Sequence, residues 1–134
     1  MNFELDEEYR LLNETVARFV REELVPLEPA VLEREANGGR YELLPEELEP
    51  LHKKCRALGL WALDCPEETG GVDLPAIALV GINQALGHTA VPFNFPPDSP
   101  NLHMMLATVN DEQREKYLEP YARGETISAI AISE

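Results

Sequence analysis

The sequence predicts an all-α fold, an up-and-down helical bundle of about five helices that ends in the first strand of a β-domain. Three observations point there. Apolar residues recur at three-to-five-residue steps through most of the chain, which is the period of a helix face. Glycine and proline pairs interrupt that period at intervals suited to short loops. The closing stretch, "ETISAIAISE", is rich in isoleucine, and residues 126 to 133 read as one buried strand.

The first helix is expected from about Asp6 to Leu24. Leu5, Tyr9, Leu12, Val16, Phe19 and Leu24 form one stripe. Asp6 is a candidate N-cap, and Glu7 and Glu8 suit the positive end of the helix dipole. Pro26 is expected to end or bend the helix, because it has no N–H and its ring crowds the carbonyl four residues back. A further turn or two follows in "LEPAVLERE", and "ANGGR" breaks it.

A second helix starts at Pro45 and aligns Leu44, Leu48, Leu51, Cys55 and Leu58, with Gly59 as C-cap. The loop "LWALDCPEETGGVDL" holds the single tryptophan. The third helix, about Pro75 to Gly87, is apolar nearly all round, so it is expected to be covered on every side. "HTAVPFNFPPDSP" contains four prolines and is expected to be extended. A fourth helix opens with Ser99 as N-cap and Pro100 in its first turn. The last, "DEQREKYLEPYARGE", is preceded by Asn110, which with Gln113 resembles a capping box; Gly124 closes it.

A lone apolar strand leaves backbone groups unpaired and presents a sticky edge. The reading that follows is a helical domain over 1–125, and over 126–134 the first strand of a β-domain whose other strands lie outside this chain; the alternatives are a strand that pairs in a dimer and a tail that frays.

Composition narrows the function. The 134 residues include 25 acidic and 11 basic side chains, a net charge of −14, so neither nucleic acid nor an anionic membrane surface is an expected partner. No apolar run reaches the roughly 20 residues needed to span a bilayer. The start "MNFELDEEYR" has no signal-peptide layout, and a cytoplasmic location with reduced thiols at Cys55 and Cys65 is the expectation. His52, His88 and His103 are far apart in the sequence, so no metal site is expected. The acidic neighbours Asp64, Glu67 and Glu68 would raise the pKa of Cys65 and leave it a packing residue. "ETGGVDL" lacks the spacing of a phosphate loop.

Four stretches carry a likeness to a known family. "VREELVPLEPAVLERE", "LGLWALDCPEETGGVDLP", "NDEQREKYLEPYARGE" and "AIAISE" occur in the order of matching segments in the N-terminal helical domain of the acyl-CoA dehydrogenases. The second resembles that family's "lGl-gl-vPEeyGG-G" loop, and the third resembles its "t-eQk-kyLp-la-Ge" helix. "FNFPPDSPNLHMML" is closest to a branch with "aPDtgNme" at the equivalent place.

The resemblance implies a three-domain flavoprotein that binds FAD and carries out α,β-dehydrogenation of an acyl-CoA thioester in fatty-acid metabolism. It passes electrons to an electron-transfer flavoprotein or similar acceptor and works as a homo-oligomer. Ile130, Ala131, Ile132, Ser133 and Glu134 fall on the flavin-contacting strand, with Ser133 as the polar contact. The family often has an aromatic residue where Ile130 stands and Thr where Ser133 stands. Phe93, Phe95, Leu102 and Met105 are candidate acyl-pocket residues. The family's catalytic glutamate has no match, so no residue of this chain is offered as the base, and the chain alone is expected to be inactive. The alternative is a stand-alone helical interaction domain or a subunit of a split or heteromeric dehydrogenase.

Overall fold

The computed structural model describes residues 6–97 and 100–128. All five expected helical stretches are present among them, and no described residue lies in a strand. Of the expected strand 126–133, residues 126–128 are described and are neither helix nor strand; the remainder lies outside the described residues. The chain divides into two compact units, Met1–Leu58 with Leu74–Asn94, and Gly59–Asp73 with Phe95–Glu134.

In the first unit, α1 spans Glu7–Phe19. Asp6 has the extended backbone of a cap, and its carbonyl accepts the Arg10 N–H at 3.0 Å, but its side chain caps nothing. Val16, Phe19 and Leu24 from the expected stripe are buried. Each such side chain removed from water stabilises by about 1.5–3 kcal/mol.

Pro26 bends the helical path without ending it. A π-helical turn, Val20–Leu24, and a 3-10 turn, Val25–Leu27, carry the chain directly into α2, Glu28–Ala36. The carbonyl four residues before Pro26 belongs to Glu22, inside the π turn. Widening the helix there accommodates both the missing donor and the ring.

Helix α3 is Pro45–Ala57 and α4 is Ala76–Leu86. At the start of α3, the Glu47 carboxylate accepts the Leu44 N–H at 2.7 Å and pairs with Arg34 at 2.7 Å, which ties α3 to α2. Helix α4 packs on α1 through Gly81. A Cβ at Gly81 would lie 2.1 Å from the Asn13 amide nitrogen, so a larger residue there requires the Asn13 side chain to move. The expectation that α4 is covered on all sides fails within this unit. Ala78, Ile82 and Ala85 are buried, but Val80 is 61% exposed and Ile77 44% exposed. One face of α4 packs on α1, and Ile77 and Val80 on the other side are exposed among the described residues.

In the second unit, α5 is Leu102–Thr108. Asn101, rather than the expected Ser99, stands at its cap position, and Ser99 lies outside the described residues. The last stretch runs through α6 (Asp111–Gln113), a π turn (Arg114–Leu118) and α7 (Glu119–Ala122). The capping box forms as expected: the Asn110 Oδ1 accepts the Gln113 N–H at 2.9 Å, and the Gln113 Oε1 accepts the Asn110 N–H at 3.0 Å. Pro120 repeats the arrangement at Pro26. The carbonyl four residues before it, that of Lys116, lies in a π turn. Gly59 and Gly124 end their helices with φ of 70° and 73°, as expected of C-cap glycines.

Candidate functional site

The proline- and glycine-rich loop of the second unit is held by its own backbone. Pro66 O accepts from Thr69 N at 2.9 Å and Gly71 N at 3.1 Å, and Cys65 O accepts from Asp73 N at 2.9 Å. The Thr69 hydroxyl donates to the same Pro66 carbonyl at 2.7 Å. Ala62 N donates to Pro96 O at 2.7 Å, which fastens this loop to the extended segment before α5. A Cβ on Gly71 would sit 2.0 Å from Cys65 O, so the loop closes only around glycine. Ala62, Cys65, Leu102, Leu118, Tyr121 and Ala122 form the core beneath it, with Trp61, Met105, Leu106 and Val109 packed against them.

Two of the four candidate acyl-pocket residues come together here. Leu102 is 1% exposed within the core cluster, and half-buried Met105, one turn further along α5, packs against that cluster. Phe95 is half-buried in the same unit. Phe93 belongs to the first unit, where it is buried with its ring 5.7 Å from that of Phe19. The segment leading to Phe93 is pinned. The Glu28 carboxylate accepts from the Thr89 hydroxyl at 2.8 Å and from Ala90 N at 2.9 Å, while the Tyr41 hydroxyl donates to the Ala90 carbonyl. The Ala90 N–H, then the Thr89 hydroxyl, hold the Glu28 carboxyl below its ordinary pKa.

The candidate flavin contacts Ile130, Ala131, Ile132, Ser133 and Glu134 lie outside the described residues. The chain reaches them through Ser128, which is held in a three-way contact. The Asn101 side-chain amide donates to the Ser128 hydroxyl at 2.9 Å. The Tyr121 and Ser128 hydroxyls are 3.0 Å apart, and Asn101 N donates to the Tyr121 oxygen at 3.3 Å. Sequence reasoning did not single out Tyr121 or Asn101. A signal was present in "EPYARGE", because a tyrosine on a buried helix face brings a hydroxyl that needs a partner.

Neither thiol is built as a nucleophile. Burial pushes Cys55 up to about 12 and, with the Asp64 carboxylate beside it, Cys65 up to about 11. No carboxylate is buried among the described residues. Two surface clefts are lined by other residues than the four candidates. One of about 330 Å³ on α1 and α4 includes Arg10, Asn13, Gln84 and His88, and one of about 240 Å³ in the second unit includes Glu68, Arg114, Glu119 and Arg123. Among the described residues no helix is long and apolar enough to cross a membrane.

Comparison with known proteins supplies the family. A family model for the acyl-CoA dehydrogenase N-terminal domain matches residues 6–125. The chain is 35% identical to (R)-benzylsuccinyl-CoA dehydrogenase of Thauera aromatica, over all of this chain and 35% of that protein. It is 33% identical to the mitochondrial short-chain specific acyl-CoA dehydrogenase of Mus musculus, over 98% of this chain and 30% of that one. A solved chain from Mycobacterium abscessus, assigned to the acyl-CoA dehydrogenases, superposes with a TM-score of 0.71 at 27% identity, over 91% of this chain and 33% of that one. The chain therefore spans about a third of the length of these relatives. A helical fold, a match over nearly its whole length and the four ordered sequence segments agree: this chain belongs to the acyl-CoA dehydrogenase N-terminal domain family.

Proposed function

We propose that the chain acts as the N-terminal helical domain of a flavin-dependent acyl-CoA dehydrogenase, walling part of the acyl pocket and supplying one flavin-side segment. The observation that supports this most is the family match over residues 6–125, which embraces both α5 and the approach to residue 128. On this reading the substrate is an acyl-CoA thioester, and the reaction is its α,β-dehydrogenation. When bound, FAD supplies the hydride acceptor. Residues 126–134 join a β-domain, and Ile130 to Glu134 lie along the flavin.

On this reading Ser133 keeps a hydroxyl for a polar contact with the flavin, and Phe93, Phe95, Leu102 and Met105 are the candidate acyl-pocket residues. The proton-abstracting base lies outside this chain. An electron-transfer flavoprotein or similar acceptor, a homo-oligomer and a cytoplasmic setting belong to the same proposal.

The test has two parts. FAD titrated into the chain alone gives no saturable one-to-one binding, and the chain alone reduces no dye with acyl-CoA. Put in place of the matching third of the Thauera relative, it gives an FAD-loaded protein with acyl-CoA-dependent dye reduction. Tight FAD binding by the isolated chain, or a folded and FAD-loaded chimera without activity, overturns the reading.

The exposed Ile77 and Val80 face of α4 favours a second reading, a helical unit that docks on a separate partner protein. Light scattering discriminates. A monomer that melts cooperatively argues against a separate obligatory partner.

A further inference from the structure

We infer that Tyr121, Asn101 and Ser128 form a hydroxyl-centred clamp that fastens the exit of the chain to the start of α5. Resting on the proposed function, this clamp couples the acyl-pocket wall to the flavin-side segment. The three residues all belong to the second unit. Tyr121 is buried on α7 and Asn101 stands at the cap of α5, while Ser128 is the last described residue before the candidate flavin contacts.

The Tyr121 oxygen accepts from Asn101 N, and the Ser128 oxygen accepts from the Asn101 side chain. The Tyr121 and Ser128 hydroxyls are in hydrogen-bond contact at 3.0 Å, so the two side chains and the Asn101 amide close one connected set of bonds.

Tyr121 and Asn101 are thus positioning residues. They fix where residue 128 leaves the helices relative to Leu102 and Met105. Tyrosine-to-phenylalanine exchange removes the hub and keeps the ring in the core.

The experiment is backbone relaxation and amide exchange by NMR on the full 134-residue chain. In Tyr121→Phe, the Asn101 amide exchanges about fivefold faster, the equilibrium value of one neutral hydrogen bond. The order parameter at Ser128 falls from about 0.85 towards 0.6 or below. The Arg123 amide, bonded to Glu119 O at 3.0 Å, keeps its rate. Ser128→Ala lowers the order at residue 128 in the same way, and Ser128→Thr, which keeps the hydroxyl, restores it. Unchanged order at residue 128 in both Tyr121→Phe and Ser128→Ala overturns the clamp, whatever the melting temperatures do. No flavin enters this measurement. A chimera that loads no FAD counts against the proposed function and leaves the relaxation result standing.

Discussion

Two buried sulfurs and one glycine show how far single side chains decide this molecule. The thiols of Cys55 and Cys65 are pushed up to about 12 and about 11 by burial, so the native state keeps protons that the unfolded chain releases above about pH 9. The sign follows. A raised folded-state pKa contributes stability that is fully present below pH 9 and is lost as pH rises towards 11 and 12. Urea midpoints are expected to be flat for this contribution from pH 7 to 9 and to decline above that. Replacing both cysteines with alanine at the cost of cavities should flatten that alkaline decline. Gly71→Ala forces a Cβ against the Cys65 carbonyl, a backbone atom that cannot turn aside. Destabilisation of about 1–3 kcal/mol or more is expected, read as a lower urea midpoint. The sequence "TGG" announces a tight turn, but the 2.0 Å approach depends on a loop folding back on itself, which no local pattern encodes.

The helices follow local rules closely, with one recurring exception. Proline positions, apolar spacing and the Asn110–Gln113 pair locate the helical stretches, because each acts over three or four residues. Asn110→Ala removes the acceptor for Gln113 N and is expected to cost about 1 kcal/mol, measured as a lower thermal midpoint. Gln113→Ala should cost less, since an exposed Asn110 N–H then turns to water. The exception is what precedes Pro26 and Pro120. Proline predicts a stop or bend, but in both places a π turn widens the helix and the chain continues. Burial of Leu24 ahead of Pro26, and of Leu118 ahead of Pro120, holds the chain to the core through the disrupted turn. A proline announces a broken hydrogen bond, but whether the helix resumes depends on packing.

For the molecule as a whole, the excess of acidic groups outweighs any one pair. Most ion pairs among the described residues are exposed, such as Arg10–Glu14 and Arg123–Glu119, and such pairs contribute little each. A net charge of −14 therefore acts mainly as self-repulsion. Adding salt from 10 mM to 0.3 M shrinks the screening length from about 30 Å to under 10 Å. The thermal midpoint is expected to rise over that range. A fall would mean that the specific pairs, Arg34–Glu47 and Lys54–Glu23 among them, outweigh the repulsion.

Charge balance, helix positions, the Asn110–Gln113 cap and the family likeness were all present in the linear order of residues, because each depends on composition or on neighbours a few positions apart. Other features belong to the folded chain. They are the closeness of α4 to α1 at Gly81, the open face around Val80, the division of Phe93 from Leu102 and Met105 into different units, and the meeting of Asn101, Tyr121 and Ser128. The reason is the same for each. Burial and hydrogen bonding between residues far apart in sequence depend on how helices pack, and a periodic pattern says which face seeks cover without saying what will cover it.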